Sequence, residues 1–303
     1  MRLDEAIRLF VNNYENPNTK RAYLGTLNPL ANFLGEGRQL KKIKPVHIVE
    51  YKQSLSKDLS LATVGKHYKT VKTFFNFYKE LGIISESPAH VLKIKRANRY
   101  VPKSRAMPDS VLASILDFTK WDKRKFALIL FFADTGCRAG GAANLRVCDI
   151  NLSQMEAIVT EKGNKTRTVW FDADCRDALS KLIRDMPLSA FVFGKNGKKT
   201  TPAVLSQTIR RACAYAGVKE YGSHSLRHRK GHKLADSGIA PSIAAVILGH
   251  DDVQITIEYY YPRDTQRAAA AARQTSTGNL VRNIVIPFNQ IPKKGEKLAF
   301  REG

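Results

Sequence analysis

One basic stretch near the end of the chain combines side chains that could act together on an anion. His224 and Arg227 lie three positions apart, a spacing that puts both on one face of a helix. His250 follows in Leu-Gly-His, and a run of three tyrosines begins nine positions later at Tyr259. Guanidinium and imidazole groups bind oxyanions, and a phenol can act as a nucleophile. The first question is therefore which anion this stretch would bind.

Three other interpretations of these residues stay open at this level. His224, His228 and His232 share a helix face and could bind a metal, but no Cys, Asp or Glu stands close by to complete the site, and the arginines and lysine among them would repel a cation. The stretch could instead be a helix-turn-helix that reads DNA, with its turn at Gly238 or Gly249. It could also be an ordinary basic helical region with incidental polar residues.

Composition favours a polyanion as the partner. The 303 residues include 50 Lys and Arg against 27 Asp and Glu, which gives a formal net charge of +23. The excess is not confined to a tail, since residues 1–100 carry +10 and the rest +13. Such an excess attracts polyanions, and neutralising phosphates with release of counterions is the usual source of nucleic-acid affinity. An apolar content of 43% is that of a folded protein.

The remaining composition indicates a reducing compartment and no membrane. The N-terminus lacks the apolar region of a secretory signal, and the longest apolar run, 126–133, is too short to span a bilayer. The cysteines have no paired spacing, so we expect reduced thiols that serve in packing. A cytoplasmic protein is the resulting expectation. The cysteines are Cys137, Cys148, Cys175 and Cys213.

Hydrophobic periodicity predicts a helical N-terminal domain over residues 1–92. Apolar residues recur at helical spacing in four segments, most regularly in the fourth. Pro29 stands inside the second segment and should kink or split that helix. The helices are expected at 3–14, 19–34, from Pro45 onward, and at 60–80.

Lysines flank the fourth helix on the side away from its apolar stripe, which predicts either a solvated face or contacts with phosphates. Residues 93–106 are basic and contain Pro102, so we expect an interdomain linker that could lie along a nucleic-acid backbone. The candidate DNA contacts are Lys66, Lys69, Lys72, Lys95, Arg96, Arg99 and Lys165.

Residues 107–272 are expected to form a second domain around a nearly apolar helix at 122–134. A new helix should begin at Arg138, and two β-type runs, 157–160 and 167–171, predict a hairpin with Lys162 and Lys165 at its turn. Further helices are expected near 173–185 and 202–216. The loop 194–200 is basic but lacks the spacing of a nucleotide-binding loop, so it is expected to be exposed.

Phosphoryl transfer is the chemistry that these residues fit best. Cleaving a phosphodiester without a metal takes positive donors around its oxygens, an acid for the departing hydroxyl, and a nucleophile on the opposite side. The candidate catalytic residues are Arg138, Lys162, His224, Arg227, His250 and Tyr259.

The order of these motifs resembles that of the tyrosine recombinase (phage integrase) family. The resemblance covers about 1–268, and the N-terminal domain is similar to the family's core-binding domain. It implies a mainly α fold with a small β-hairpin or sheet: a SAM-like four-helix domain followed by a DNA breaking-rejoining catalytic domain. The motifs are Thr135-Gly-Cys-Arg138, Glu161-Lys-Gly-Asn-Lys165, His224-Ser-Leu-Arg-His228, Leu248-Gly-His250 and Tyr259.

The resemblance also implies roles. Arg138 and Arg227 would bind the non-bridging oxygens of the scissile phosphate, and Lys162 would protonate the departing 5′ hydroxyl. His224 would handle the proton of Tyr259, which would form a 3′-phosphotyrosyl bond, while His250 would hydrogen-bond the phosphate. The implied partner is duplex DNA with specific sites, bound by a dimer at one site and by a homo-tetramer at synapsis, with no metal or other cofactor. Integration, transposition and resolution are all compatible roles.

Some features depart from the family or stay open. Members commonly carry a carboxylate three residues after the first arginine, where this chain has Gly141. Either another acid, such as Asp134, takes over from that carboxylate or the arginine is held more loosely. Tyr260 and Tyr261 are alternatives to the expected nucleophile. The tail 273–303 has an apolar patch that could dock on a neighbouring protomer or on its own domain. A monomeric nicking-closing enzyme and a non-catalytic DNA-binding protein are the alternative functions.

Overall fold

The computed structural model describes residues 1–93, 100–161, 163–261 and 272–273. Contacts between residues divide the chain into two compact units, Met1–Asn98 and Arg99–Gly303. Both are mainly helical, and the second also contains a small antiparallel sheet. The predicted fold class is therefore confirmed.

The N-terminal unit contains the four expected helices. The second begins where the Asn16 side chain accepts hydrogen bonds from the first-turn amides and Pro17 supplies a fixed φ. It continues as one helix through Pro29, so the predicted split does not occur. Leu27 and Leu30 on either side are fully buried, and their packing outweighs the one hydrogen bond that proline removes. The helices are α1 (Leu3–Asn12), α2 (Pro17–Leu34), α3 (Pro45–Asp58) and α4 (Leu61–Glu80).

Aromatic rings fill the centre of this unit. Phe10 of α1 meets Phe74 and Phe77 of α4, each with ring centroids 5.4 Å apart and edge-to-face. The hydroxyl of Tyr78 donates a buried hydrogen bond to the carbonyl of Ala6, at 2.6 Å. Because α4 turns this stripe inward, its lysines point the other way: Lys66 and Lys69 are exposed and Lys72 is half-buried.

The C-terminal unit contains eight helices and three strands within the part of the chain that the structure describes. The sheet has the order β1-β2-β3 and is antiparallel throughout. The helices are α5 (Asp109–Thr119), α6 (Lys123–Thr135), α7 (Ala139–Asn144), α8 (Ala173–Ile183), α9 (Pro202–Tyr215), α10 (Ser223–Asp236), α11 (Pro241–Leu248) and α12 (Val253–Tyr260). The strands are β1 (Ile150–Asn151), β2 (Glu156–Thr160) and β3 (Thr166–Trp170).

Helix α6 is the centre of this unit, as its apolar sequence predicts. Phe131 and Phe132 are both fully buried. The sheet covers one side with the alternation expected of a half-buried strand: Val159 is buried while Ile158 is 53% exposed. The helix ends at Gly136, whose positive φ of 57° gives it the left-handed conformation of a C-terminal cap.

A smaller apolar cluster joins α10, α11 and α12. Leu234, Leu248 and Tyr260 pack together there, and Val101 from the preceding segment joins them. This cluster sets the positions of the helices that carry the histidine, arginine and tyrosine motifs. It therefore determines the geometry of the candidate site.

The surface features match the sequence with one exception. The lysines of the loop 194–200 are exposed, as expected. All four cysteines are free thiols; Cys137, Cys175 and Cys213 are buried, but Cys148 is exposed, so its predicted packing role is wrong. Cys148 lies in the short turn before β1, outside the core. Among the described helices, none combines the length and apolarity needed to cross a membrane.

Removing the Tyr78 hydroxyl should destabilise the N-terminal unit. Tyr78→Phe loses one buried hydrogen bond, and the free energy of unfolding should fall by about 1 kcal/mol. Urea unfolding followed by circular dichroism measures the change. Tyr68→Phe on the same helix is the control, since its hydroxyl makes no hydrogen bond with the part of the chain that the structure describes. Equal effects of both substitutions would contradict this role for Tyr78.

Candidate active site

Arg227 is the most deeply buried cation of the site. It lies one turn into α10 and is 5% exposed. Its Nη1 donates to the carbonyl of Gly136 at 2.8 Å, whereas its buried Nη2 has no hydrogen-bond partner in the described part of the protein. Burial, and then the charge of Arg138, lower the pKa of Arg227 to about 10, so the group is still charged at neutral pH. A buried charged donor without a partner is suited to an anionic ligand.

Arg138 stands at the N-terminal end of α7 and is held by two other parts of the unit. Its Nη1 donates to the carbonyl of Gly249 at 2.9 Å and to a carboxylate oxygen of Glu161. The side chain is 38% exposed, so part of the guanidinium faces solvent. Its charge also contributes to the lowered pKa of Arg227, so the two arginines lie close enough to interact. Their joint catalytic role stays a prediction.

Glu161 and Arg167 belong to the site, and neither role was predicted from the sequence. Arg167 on β3 donates to the carbonyl of Ile247 at 2.9 Å and to Glu161 at 3.3 Å. Glu161 follows β2 directly, and its side chain is only 9% exposed. Both residues flank the lysines of the hairpin motif in the sequence. An acid and an arginine at the two ends of the predicted hairpin turn were the signal from which these roles could have been predicted.

The carboxylate beside Arg138 is therefore Glu161 and not Asp134. Asp134 accepts a hydrogen bond from the backbone amide of Asp172 at 3.2 Å. Burial and the nearby Asp172 raise the pKa of Asp134 to about 6. Another acid thus stands beside Arg138, as one of the two alternatives expected, but Asp134 was the wrong example, because the end of α6 points its side chain toward the start of α8.

The two candidate histidines approach the arginines from different elements. His224 is in the first turn of α10, while His250 follows the left-handed cap at Gly249. Nδ1 of His250 is 2.7 Å from the hydroxyl of buried Thr256, which leaves Nε2 for a ligand. Partial burial, then the charges of Arg227 and Arg138, lower both pKa values, that of His250 to about 4. Both imidazoles are therefore neutral at neutral pH.

The three adjacent tyrosines have distinct environments. Tyr260 is 2% exposed, and its hydroxyl lies 3.0 Å from Nδ1 of His228. Burial raises the pKa of Tyr260 to about 12. The hydroxyl of Tyr261 donates to the carbonyl of Ile239 at 2.6 Å. Tyr259 is half-buried, and its ring is edge-on to His250 with centroids 6.2 Å apart. The choice of Tyr259 as nucleophile stays a prediction, which this arrangement supports.

Gly231 on α10 leaves the space that the ring of Tyr260 occupies. A Cβ atom at this position would lie 2.5 Å from the Tyr260 ring, closer than any side chain allows. The ring also packs edge-on against His232, with centroids 5.3 Å apart. His228 and His232 thus both contact Tyr260. Among the residues that the structure describes, no group of three or more possible metal ligands occurs.

Some predicted site residues cannot be placed. Lys162, Lys95, Arg96 and Arg99 lie outside the described residues, so their roles stay predictions. Lys165, near the hairpin turn, forms an ion pair with Asp251 at 2.8 Å, and both side chains are exposed. Because exposed pairs are weak, a phosphate could displace Asp251 from this lysine.

An open cavity of about 610 Å³ connects the hairpin with the end of α11. Its positive and hydrogen-bonding groups are the features expected for a phosphate. The lining includes Arg138, Glu161, Arg167, Lys165 and His250.

The end of the predicted linker is fastened to the site. The amide of Val101 donates to the carbonyl of Tyr259 at 3.0 Å, and that of Met107 donates to Ser225 at 3.1 Å. Lys103 forms an ion pair with Asp236 at the far end of α10. Residues 100–107 therefore lie along α10 as part of the C-terminal unit, and the contact of this segment with a phosphate backbone stays a prediction.

Comparison with known proteins agrees with this geometry. The phage integrase family profile matches residues 105–267, and the profile of the phage integrase N-terminal SAM-like domain matches residues 8–82. A tyrosine recombinase of Pseudothermotoga lettingae is 25% identical over 265 residues, which cover 85% of this chain and 92% of that protein.

Solved structures show the same fold. The Tn1549 transposon integrase, in complex with transposon right-end DNA, matches with a TM-score of 0.75 and 19% identity over 91% of this chain and 99% of that one. A lambda integrase dimer bound to a COC′ core site matches with a TM-score of 0.65 and 16% identity over 84% of this chain and 95% of the other.

Since the family profile covers more than half of the residues, the chain belongs to the phage integrase family of tyrosine recombinases. It is a site-specific DNA recombinase with a SAM-like N-terminal domain. The predicted family and enzyme class are confirmed.

The neutral histidines make stability depend on pH. His228 and His250 have pKa values of about 4, below the value of about 6.5 in an unfolded chain. Between pH ~4 and pH ~6.5 the unfolded state binds more protons than the folded state. The contribution of these two histidines to the free energy of unfolding is therefore complete above pH ~6.5 and is lost as the pH falls toward ~4. Urea titrations across this range, followed by tryptophan fluorescence, measure the loss, since Trp121 and Trp170 both lie in the C-terminal unit.

His250→Gln should reduce the loss of stability on acidification, because one of the buried histidines no longer titrates. The comparison is the slope of unfolding free energy against pH for this variant and the wild type. Asp134, with its raised pKa, titrates in this window with the opposite sign in both proteins, so the difference between the two slopes is the test. A His250→Gln slope equal to that of the wild type would contradict a buried neutral imidazole at this position.

Proposed function

We propose that this recombinase cleaves one DNA strand at a time by attack of Tyr259 on the scissile phosphate. The tyrosine oxygen forms a bond to phosphorus as the bond to the 5′ oxygen breaks, giving a 3′-phosphotyrosyl link and a free 5′ hydroxyl. The reverse attack by a 5′ hydroxyl rejoins the strand. One phosphoester replaces another at each step, so no external energy source is required.

The observation that carries this proposal is the buried Nη2 of Arg227, which has no partner among the described residues. A buried charged donor without a hydrogen-bond partner lowers the stability of the folded protein, and an anionic ligand that accepts from it would remove this cost. Together, Arg227 and Arg138 can stabilise the charge that grows on the non-bridging oxygens in the transition state. A planar guanidinium suits this task because its donors form a fork.

The histidines take different roles in this mechanism. His224 is uncharged at neutral pH, so it can accept the proton of Tyr259 as the phenol attacks. If the Thr256 hydroxyl donates to Nδ1 of His250, the proton of that ring stands on Nε2 and can be donated to the phosphate. Lys162 supplies the proton of the departing 5′ oxygen. Its position in the sequence between Glu161 and Gly163, which both line the cavity, supports this assignment.

We propose that duplex DNA with a specific site is the substrate, bound by the domain of residues 1–92 and by the catalytic domain 107–272. The exposed lysines of α4 support the first contact. The lambda integrase match is itself a dimer on a core site, which supports two protomers per site. We propose that two such dimers form a homo-tetramer at synapsis. The reaction on DNA would take place in the cytoplasm, on the nucleoid.

Apolar side chains on the outside of α11 and α12 support such an assembly. Ile243 is 56% exposed and Val246 is 63% exposed, and Val246 lines the cavity that contains Arg138 and Arg167. A neighbouring protomer would remove this surface from water, and the apolar tail 273–303 is our candidate for that contact. Integration, transposition and resolution remain the proposed roles, and each is compatible with this assembly.

Trapping the covalent intermediate tests the nucleophile. A pool of nicked duplexes with a randomised centre is incubated with protein, and DNA that stays bound after denaturation is sequenced and remade. We expect wild type, Tyr260→Phe and Tyr261→Phe to form the adduct and Tyr259→Phe to form none. An adduct that survives in Tyr259→Phe, or no adduct from wild type, would refute the proposal. Relaxation of plasmids lacking the captured site would favour the nicking-closing alternative.

The bond between His250 and Thr256 predicts a graded effect. Thr256→Val keeps the shape of the buried side chain but removes the hydroxyl that orients the imidazole. Single-turnover adduct formation should slow by roughly 10-fold, the equivalent of one hydrogen bond. Thr256→Ser keeps the hydroxyl and should stay near the wild-type rate. If the valine variant is as fast as the serine variant, His250 does not depend on this bond.

A further inference from the structure

Glu161 connects the arginines of the site to one another. One of its oxygens accepts from the backbone amide of Arg138 at 3.3 Å and from Nη2 of Arg167 at 3.3 Å, while the other accepts from the Arg138 guanidinium. The carboxylate thus holds Arg138 by its main chain and side chain together. With a side chain only 9% exposed, these bonds are shielded from competing water.

The charge balance of the site requires this carboxylate. Arg138, Arg167 and Arg227 are close enough to repel one another, and Arg138 and Arg167 both contribute to the lowered pKa of Arg227. Burial alone would raise the pKa of Glu161, but the charges of Arg167 and Arg138 outweigh it and lower the value. Glu161 is therefore ionised and offsets part of the repulsion while no DNA is bound.

The space that Glu161 occupies depends on a glycine. A Cβ atom at Gly141 would lie 3.5 Å from Cγ of Glu161 and 3.2 Å from Cβ of Val159. A longer side chain at 141 would compete with Glu161 for this space. Position 141 also lies one helical turn after Arg138, where a carboxylate could reach the same guanidinium. The space beside Arg138 thus holds one carboxylate, and a side chain at either position 161 or position 141 could supply it.

We infer that Glu161 is the positioning residue for Arg138, and that it acts from the hairpin because Gly141 leaves the room for it. It orients the guanidinium toward the non-bridging oxygens and does not itself touch the DNA. This inference rests on the proposed phosphate-binding role of Arg138.

The first test is the neutral variant Glu161→Gln on the duplex captured by wild type. Losing a charge-assisted bond should slow adduct formation at saturating DNA by about 10- to 100-fold. The affinity for DNA should change little, because one phosphate among many is affected. Glu156→Gln, at the start of β2, makes the same charge change without contacting an arginine among the described residues and should be near wild type.

Adduct formation on two modified scissile phosphates shows whether Glu161 acts through Arg138 or through Lys162. A methylphosphonate carries no negative charge and depends less on Arg138, so the defect of Glu161→Gln should shrink to a few-fold. A 5′-bridging phosphorothiolate has a leaving group that needs no proton, which should restore Lys162→Ala. The defect of Glu161→Gln should persist on it.

Moving the carboxylate is the second test. Glu161→Ala should be slow for want of the carboxylate, and Gly141→Glu should be slow because two acidic side chains crowd one space. The double variant Glu161→Ala with Gly141→Glu supplies one carboxylate from the helix, and we expect it to be about 10-fold faster than Glu161→Ala. Thermal unfolding of every variant is measured in parallel.

The outcomes separate this inference from the proposed function. If wild type forms no adduct, both are wrong. If wild type is active, the inference alone is overturned by a Glu161→Gln variant that is fully active, that is restored on the phosphorothiolate, or whose defect is equal on all three substrates. A double variant no faster than Glu161→Ala, with wild-type thermal stability, also overturns it.

Discussion

Three guanidinium groups must stay in place before any phosphate arrives, and the ends of two helices make this possible. The last carbonyls of a helix have no partner within the helix and carry its negative dipole end. Gly136, at the end of α6, accepts from Arg227; Gly249 and Ile247, at the end of α11, accept from Arg138 and Arg167. Each helix end thus supplies both the hydrogen bond and the favourable potential that its arginine needs.

This arrangement explains why both helices end in glycine. The carbonyl at each end is turned toward an arginine by the left-handed conformation of Gly136 and Gly249, which glycine adopts without strain. The second glycine meets a further constraint, since a Cβ atom there would lie 2.2 Å from Nε of Arg167. A substitution at 249 would therefore disturb the cap and the arginine together.

The sequence was informative where chemistry and local structure coincide. The apolar run of α6, the helix beginning after Arg138 and the order of the motifs follow from neighbouring residues, and the fold and family were predicted from them. The partner of Arg138 was not, because Glu161 stands 23 residues away and reaches it only through the register of β2 against α7. Which carboxylate contacts Arg138 depends on how the helices and strands pack. Asp134 is close to Arg138 in sequence, but its side chain faces the start of α8.

The helix geometry of α12 also separates the roles of three identical side chains. Successive residues of a helix point about 100° apart, so Tyr259 and Tyr260 cannot share one environment, and Tyr261 follows the end of the helix. Tyr260 enters the slot at Gly231, and Tyr261 is tied to the backbone beyond α10. With Tyr260 fixed and the Tyr259 carbonyl bonded to Val101, the backbone of Tyr259 is held on both sides while its ring faces His250. The neighbouring tyrosines therefore serve the proposed nucleophile by restricting the helix that carries it.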